Sequence, residues 1–214
     1  MAVQSKARVA TVVADAEPAV RAVIEAGAAA ARRGWVPATS GNFSARVDAA
    51  RAAITATGTD KGALSKGDVI IVALDAPGHP RASAEAALHT MLYRALPEIG
   101  MVLHVHSLNA TLASLHVAEN GAIVFAGLEL LKAFHGVLTH ETRIEIPVYA
   151  NTQDIETLAR TVAAEGLGRP GVHGFLLEGH GLYAWGRTPD EAWRHLDAFD
   201  YLFALQLELK RLAS

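Results

Sequence analysis

The segment His104-Val105-His106 puts two imidazoles two residues apart in an apolar run, residues 101–106, that is typical of a buried strand. Side chains at i and i+2 of a strand point to the same face of a sheet, so both rings converge while Leu103 and Val105 point into the core. Catalytic Zn²⁺ is commonly held by three protein ligands, with one position left for water or substrate. The pair therefore predicts two zinc ligands. The competing interpretation is two half-buried histidines that hydrogen-bond to neighbouring groups.

A third ligand must come from elsewhere in the chain, and His180 is the best candidate. It lies between Gly179 and Gly181, where the lack of adjacent side chains lets its ring reach out from a turn. The alternative is that Gly-His-Gly is only a hairpin turn. His89 falls on a predicted helix, where we expect a packed or solvated side chain. The remaining histidines have no partner at ligand spacing, and we expect structural or surface roles for His79, His116, His135, His140, His173 and His195.

Composition limits the kinds of site that are possible. The 214 residues include 10 histidines and no cysteine, which excludes disulfides, thiolate-bound metal and a cysteine nucleophile. The net charge of -3 and the sequence pI of about 6.4 lack the basic footprint of a nucleic-acid-binding protein. No apolar run approaches the ~20 residues of a membrane helix, and residues 9–14 are shorter than the ~7–15-residue core of a signal peptide. We therefore expect a cytoplasmic protein without nucleic-acid or membrane partners.

Two loops combine glycine with hydrogen-bond donors, Ser40-Gly41-Asn42 and Thr57-Gly58-Thr59. Backbone N–H and hydroxyl groups in such loops can surround an anion, and Lys61 adds a positive charge to the second loop. Either loop by itself is more often a simple turn. Their joint occurrence favours a phosphate site, although neither loop is a P-loop or a GxGxxG motif.

Two glutamates are candidates for acid–base chemistry. Glu85 follows Ser83 at the start of a predicted helix, and Glu129 precedes Lys132 by three residues. A carboxyl group near a metal site can serve as general acid or general base. The simpler interpretations are a favourable charge on a first helical turn for Glu85 and an exposed ion pair with Lys132 for Glu129.

The pattern of apolar residues and turn signals predicts interleaved helices and strands. Helices are predicted over residues 18–33, from 83 to before Pro97, after Ser107, from 154 to 165, and from Pro189 onward. Strands are predicted over 43–47, 52–57, 69–74, 101–106, 143–149, 173–178 and 182–185. Several strands adjoin by short turns, which favours a mixed or antiparallel sheet covered by helices. The last helix has more large apolar residues than one buried face needs, so part of it is expected to contact another subunit.

These motifs, in this order and spacing, resemble the class II aldolase/adducin family over nearly the whole chain. The resemblance rests on residues 33–44, 57–62, 83–85 with 88–89, 103–107, 129–132 and 179–182. It implies an α/β protein with one domain over residues 1–214, a three-layer α/β/α fold and a mixed, largely antiparallel central sheet. It also implies a homo-oligomer, with a tetramer as the expected form.

The resemblance further implies a zinc-dependent lyase that dehydrates a small phosphorylated ketose. One Zn²⁺ per subunit would bind His104, His106 and His180, and the phosphate contacts would be Ser40, Gly41, Asn42, Thr57, Gly58, Lys61 and Ser83. Sugar-phosphate aldolases of the family have Ser-Ser-Glu where this chain has Ser83-Ala84-Glu85, and the missing hydroxyl weakens an aldolase interpretation. In the dehydratases the acid–base role falls to a glutamate that matches Glu129, so Glu129 is preferred as the catalytic carboxylate and Glu85 is second.

Other functions remain open from sequence alone. Within the family they are a fuculose- or rhamnulose-phosphate aldolase and a pentulose-phosphate epimerase, against which residues 34–37 and Ala84 argue. An adducin-like scaffold has no need of convergent imidazoles, so metal analysis discriminates it. A sugar-phosphate-binding module would show affinity without turnover. The sequence does not select zinc over Mn²⁺, Fe²⁺ or Co²⁺.

Overall fold

The structure is a computed structural model that describes residues 2–165, 167 and 172–213. The helices are α1 (Ala2–Arg32), α2 (Ala86–Ala95), α3 (Leu108–His116), α4 (Ile155–Glu165) and α5 (Pro189–Ala213). The strands are β1 (Asn42–Arg46), β2 (Arg51–Thr55), β3 (Val69–Ala73), β4 (Met101–Val105), β5 (Ala122–Phe125), β6 (Ile144–Tyr149), β7 (Gly174–Leu177) and β8 (Gly181–Gly186). None of the helices among these residues is both long and apolar enough to cross a membrane.

The strands form one sheet in the order β3-β2-β1-β4-β8-β7-β6-β5. Among the strand pairs of the described residues, β6 and β7 run parallel and the others run antiparallel. The central strand β4 lies between β1 and β8, with Asn42 opposite His104 and Tyr183 opposite the same histidine on the other side. This confirms the predicted mixed, largely antiparallel sheet and puts the predicted metal ligands at its centre.

Helices cover both faces of the sheet, which gives the predicted three layers. One apolar cluster joins α1, α3 and α5 to the sheet, as in the packing of Val23, Ala110 and Phe199. A second cluster joins α2 and α4 to the opposite face, through Leu92 and Leu158. Burial of both faces explains why the central strands are apolar along their whole length.

Strand β4 shows the alternation that orients the site. Leu103 and Val105 belong to the cluster under α1, α3 and α5, as the sequence predicted. Val102 belongs to the cluster under α2 and α4, and His104 shares its face because side chains alternate along a strand. The ring of His104 is completely buried. It therefore faces the side of the sheet on which α2 begins.

The predicted first residues of two helices, α1 and α2, were wrong. Helix α1 is already present at Ala2 and continues through Pro18, which was predicted to lie in its first turn. Proline removes one backbone hydrogen bond from a helix, but the alanine-rich flanks favour helix on both sides. Helix α2 begins at Ala86, so Glu85 lies in a turn closed by the Ala86 N–H donating to the carbonyl of Ser83.

Strand β5 was not predicted. It is only four residues long, and a short apolar run is ambiguous between strand and buried helix. It pairs with β6 at the edge of the sheet, remote from the histidines.

Candidate metal centre

Three histidines from two neighbouring strand ends converge at one point. His104 lies in β4 and His106 immediately follows that strand, while His180 lies in the turn between β7 and β8. Because β8 pairs with β4, this turn is next to the end of β4. Nε2 of His106 lies 3.0 Å from Nε2 of His104 and 3.1 Å from Nε2 of His180. Zinc–nitrogen bonds of about 2.0–2.1 Å in a tetrahedral site leave ligand nitrogens about 3.3 Å apart, so the three rings fit a single ion.

Hydrogen bonds on the far side of two of the rings determine which nitrogen is available. Nδ1 of His104 donates to the carbonyl of Leu182 at 3.1 Å, and Nδ1 of His180 donates to the amide oxygen of Asn151 at 3.2 Å. Each neutral ring then carries its lone pair on Nε2, and these lone pairs point at a common centre. Such convergence is unfavourable without a cation between the nitrogens, and second partners of this kind are typical of metal-binding histidines.

Burial lowers the pKa of His104 and of His106 and so favours their neutral form, which is the form that binds metal. Desolvation holds the pKa of His104 well below its ordinary value, with further lowering from His106 and His180. Desolvation, aided by His180 and the ammonium of Lys61, lowers the pKa of His106 to about 4. The donor set, three neutral imidazoles without a thiolate, suits zinc and other borderline divalent metals.

Two glycines are needed for the backbone to approach the histidines. Gly41 has φ +72°, and a Cβ atom there would meet the carbonyl oxygen of His104 at 2.7 Å. A Cβ atom at Gly181 would collide with the carbonyl oxygen of Val105. Side chains at these positions would push the first loop and the β7–β8 turn away from β4, and the imidazoles would no longer meet.

Glu85 lies beside the imidazoles. Its Oε1 is 3.6 Å from Nε2 of His104 and 3.4 Å from Nε2 of His180. Its Oε2 accepts a hydrogen bond of 2.5 Å from the amide nitrogen of Asn42. The ring of Tyr183 stacks on His104; burial raises the pKa of Tyr183, and the nearby charge of Glu85 raises it further. A carboxylate in this position can take or give a proton next to a metal-bound substrate.

The predicted phosphate loops meet the histidines in one cavity, which we call the triad cavity. It has a volume of about 160 Å³ and is lined by Thr39, Ser40, Gly41, Asn42, Thr55, Ala56, Thr57, Gly58, Lys61, Ser83, Glu85, His106 and His180. Among the described residues, the hydroxyl of Ser40 is buried and has no hydrogen-bond partner. A buried orphan hydroxyl is costly unless a ligand supplies its partner.

Lys61 is only 3 % exposed, and its ammonium joins the two loops. Nζ donates to the carbonyls of Thr39 at 2.9 Å and Thr59 at 2.8 Å. Burial lowers the pKa of Lys61, whereas Asp60 and Glu85 oppose that shift. Thr39 has φ +63°, a left-handed conformation that is strained for a β-branched residue. The hydrogen bond from Lys61 therefore helps to hold a strained loop at the cavity.

Glu129 lies elsewhere in the same chain. It begins a 3₁₀ turn, its side chain is 73 % exposed, and its Oε1 accepts a hydrogen bond of 2.5 Å from Lys132. The hydrogen bond from Lys132 lowers the pKa of Glu129. It lines a separate groove of about 1010 Å³, here called the α5 groove. The groove is formed by Leu128, Glu129, Leu130, Ala133, Asp190, Trp193, Arg194, Asp197, Ala198, Tyr201, Leu202 and Leu205. Within one chain the structure thus brings Glu85, and not Glu129, to the imidazoles.

Asn151, Ser44 and Tyr183 were not predicted as site residues, and His89 was predicted only as a packed or solvated helical side chain. Asn151 fixes the ring of His180 across a long sequence separation, and no local pattern marks it. His89 is fully buried and hydrogen-bonded to Asn42, whose amide contacts Glu85. Its position four residues after Glu85 on one helical face was the available signal.

Comparison with known proteins agrees with this architecture. Residues 21–207 match the family model described as the class II aldolase and adducin N-terminal domain. The chain is 54 % identical over 187 residues, 86 % of either chain, to a methylthioribulose-1-phosphate dehydratase of Xanthomonas campestris pv. campestris (strain 8004). It is also 54 % identical over 185 residues to a protein of the same name from Stenotrophomonas maltophilia (strain K279a), covering 85 % of this chain and 86 % of that one.

Among solved structures, the chain is similar to L-fuculose-1-phosphate aldolase from Thermus thermophilus. The TM-score is 0.74 at 25 % identity, and the match covers 91 % of this chain and 96 % of the aldolase. The family model and the relatives of the same name all match most of the length of the chain. The chain therefore belongs to the class II aldolase and adducin N-terminal domain family.

Proposed function

We propose that this chain is a zinc-dependent methylthioribulose-1-phosphate dehydratase. It would convert 5-methylthioribulose 1-phosphate to 5-methylthio-2,3-dioxopentyl phosphate in methionine salvage. The observation that carries the proposal is the convergence of three imidazole Nε2 atoms beside the carboxylate of Glu85. The names of relatives that are 54 % identical support this substrate over others used in the family.

Zinc is proposed as the metal, one ion per subunit, held by His104, His106 and His180. The fit rests on their mutual Nε2 distances and on the tautomers fixed by Leu182 and Asn151. When bound, the ion would supply Lewis-acid polarisation of the substrate carbonyl, which makes the neighbouring C–H bond more acidic.

The dehydration needs one group that removes the C3 proton and one that protonates the departing C4 hydroxyl. Loss of water leaves an enol, which becomes the 2,3-diketone. Glu85 is the carboxylate that one chain provides at the triad cavity, and Asn42 holds one of its oxygens. We therefore propose Glu85 for a proton transfer at the substrate. Tyr183 excludes water behind His104 and is completely buried.

Glu129 is the other proposed acid–base group. Because it lines the α5 groove of its own chain and not the triad cavity, its role requires a site formed with a second copy. The apolar lining of the α5 groove and the 60 % exposure of Tyr201 support such an association. We propose a homotetramer, in which each copy is a single domain spanning residues 1–214.

The substrate phosphate is proposed to lie at the two glycine-containing loops. Ser40, Gly41 and Asn42 would contact it from one side, and Thr57, Gly58, Lys61 and Ser83 from the other. The orphan hydroxyl of Ser40 and the buried ammonium of Lys61 support this position. A phosphorylated ketose does not readily cross membranes, which supports the cytoplasm as the place of action.

A class II sugar-phosphate aldolase is the second candidate function, because a structural neighbour with a TM-score of 0.74 has that activity by name. Both reactions need a metal, a carboxylate and a phosphate site. Ala84 argues against it, since it removes a hydroxyl that the aldolase motif is expected to provide.

A turnover assay tests the proposal. Zinc-loaded protein is incubated with 5-methylthioribulose 1-phosphate, with and without chelator, and diketone formation is followed. We expect diketone that disappears with chelator and returns when zinc is restored. Release of dihydroxyacetone phosphate from fuculose or rhamnulose 1-phosphate, without any diketone, would replace the dehydratase with the aldolase.

A further inference from the structure

A chain of buried hydrogen bonds lies behind the carboxylate of Glu85. The hydroxyl of Ser44 is 2.6 Å from Nδ1 of His89, and Nε2 of His89 is 2.5 Å from the amide oxygen of Asn42. The amide nitrogen of Asn42 then contacts Oε2 of Glu85 at 2.5 Å. Ser44 and His89 have no exposed surface, and Asn42 is only 5 % exposed. The chain joins strand β1 to helix α2 and ends at the imidazoles.

The chemistry of these groups allows one arrangement of protons. The carboxylate of Glu85 accepts, so Asn42 must present its NH₂ group to Glu85 and its oxygen to His89. That oxygen can only accept, so Nε2 of His89 carries a proton. Burial lowers the pKa of His89 to about 3 and keeps the ring neutral, which leaves Nδ1 without a proton to accept from the hydroxyl of Ser44.

The far end of the chain is fixed in the same way. The hydroxyl of Tyr93 donates to the backbone carbonyl of Ser44 at 2.8 Å and lies 2.9 Å from the hydroxyl of Ser44. Because Nδ1 of His89 has no proton and can only accept, the hydroxyl of Ser44 donates to it. Each of these hydrogen bonds has one donor and one acceptor, and a reversed amide at Asn42 would put two oxygens together at Glu85. A buried network of this kind is rigid, because a rotation of one of its groups leaves a polar atom unpaired in a low-dielectric interior.

We infer that His89 is a positioning residue: it fixes the amide of Asn42 and thereby aims the carboxylate of Glu85 at the substrate side of the three histidines. This inference rests on the proposed function, since it assigns the orientation of the proposed acid–base group. It predicts that His89 affects the reaction step more than the binding of metal or phosphate, because Asn42 is only one of the seven proposed phosphate contacts. His89 contacts neither the imidazole nitrogens of the candidate metal site nor the substrate-facing surface of the triad cavity.

Four variants test the inference. His89→Gln keeps an N–H donor at about the distance of Nε2, whereas His89→Asn reaches only to the position of Nδ1. His89→Leu removes both nitrogens. Thr90→Val is the matched control, because Thr90 is a buried polar residue of the same helix whose hydroxyl donates to Ala87, outside the chain of hydrogen bonds.

Steady-state kinetics and zinc content are measured for each folded variant. We expect His89→Leu and His89→Asn to lower kcat by about 10- to 100-fold, with KM changed less than about threefold and one zinc per subunit retained. His89→Gln is expected to recover most of kcat, and Thr90→Val to match the unmodified protein. Equal kcat in His89→Gln and His89→Asn, or a loss in Thr90→Val as large as that in His89→Leu, overturns the inference.

A measurement without turnover separates this inference from the proposed function. ¹⁵N NMR of the metal-free protein reports which nitrogen of His89 is protonated and whether the side-chain amide of Asn42 is hydrogen-bonded. We expect the Nε2–H tautomer and a downfield Asn42 amide that moves upfield in His89→Asn and not in Thr90→Val. The Nδ1–H tautomer would overturn the inference even in an active enzyme. If the unmodified protein makes no diketone, the proposed function fails while these NMR results still decide the role of His89.

Discussion

Oε1 of Glu85 lies 3.4 Å from Nε2 of His180, although the two residues are far apart in the sequence. One precedes helix α2 and the other lies in the turn between β7 and β8. Strand β4 brings them together, because it pairs with β8 and carries His104 on the face from which α2 begins. The site is therefore a product of sheet topology, and each of its parts can be removed separately.

His106→Ala and His180→Ala should each lose bound zinc and turnover together. Removing one of three imidazoles leaves two ligands, too few for a stable site of this type. Metal content of the purified protein and diketone formation are the measurements. His116→Ala is the matched control, since His116 is an exposed histidine outside the cluster. A His106→Ala protein with full zinc and full turnover would remove His106 from the site.

Glu85→Gln should lower kcat by about 10²- to 10⁴-fold, the range expected for loss of a general acid or base. The amide keeps the size of the side chain but cannot take a proton. Zinc content should be unchanged, because the imidazoles are intact. Glu98→Gln, at an exposed glutamate on the loop after α2, is the control. Normal kcat in Glu85→Gln would transfer the acid–base role to Glu129.

Mixed oligomers test whether Glu129 serves a neighbouring copy. His106→Ala subunits lack the metal but keep Glu129, and Glu129→Gln subunits keep the metal but lack the carboxylate. If Glu129 acts across an interface, co-refolded mixtures should regain up to about a quarter of the activity per subunit, whereas each protein alone is inactive. If the mixtures are as inactive as the two proteins alone, and Glu129→Gln alone is inactive, Glu129 acts within its own chain.

The cluster of three histidines could be predicted from sequence because its signal is local. Two histidines at i and i+2 of an apolar strand must share a face, and a histidine between two glycines is free to project. The structure brings His104, His106 and His180 together as that argument expects. The order of the strands could not be predicted from local sequence patterns. Nothing in residues 101–106 specifies that β4 pairs with β8.

Which of Glu85 and Glu129 lies beside the histidines could not be predicted from local sequence patterns. Their local patterns are equally ordinary, a turn before a helix and an i,i+3 ion pair. What distinguishes them is which cavity each one lines, and that depends on the packing of α2 and α5 against opposite faces of the sheet. The same holds for Asn151 and His89, whose importance lies in partners that are distant along the chain.

Lys61→Met should raise KM for the phosphorylated substrate, by about tenfold or more. It removes a positive charge at the proposed phosphate site and leaves the carbonyls of Thr39 and Thr59 unpaired, which also costs roughly 1–3 kcal/mol of stability. Inhibition by inorganic phosphate should weaken in parallel, because phosphate needs the same site. Lys66→Met is the control, since Lys66 is exposed and pairs with Glu17. An unchanged KM and an unchanged inhibition constant would exclude a contact between Lys61 and the phosphate.

A second group of histidines, outside the triad cavity, should make stability sensitive to acid. Nδ1 of His195 donates to the carbonyl of Trp185, and Nε2 accepts from the backbone N–H of His135, so the neutral ring has no place for another proton. His173 stacks on the ring at 4.2 Å. Burial and His173 lower the pKa of His195 to about 4, whereas the carboxylate of Glu191 opposes the shift.

The sign of the effect follows from the two pKa values. The folded-state pKa of His195 is about 4, below the ordinary value of 6.5, so the unfolded chain binds a proton between these values that the folded protein does not. Stability is therefore lost as the pH falls from about 6.5 towards 4, by roughly 1–2 kcal/mol between pH 7 and pH 5 from this group. Urea unfolding at the two pH values measures it. His195→Gln should be less stable at pH 7 but show a smaller difference between pH 7 and pH 5, while His116→Gln, at an exposed histidine, keeps the full difference. An undiminished difference in His195→Gln would mean that other groups, such as the buried His89, cause the acid sensitivity.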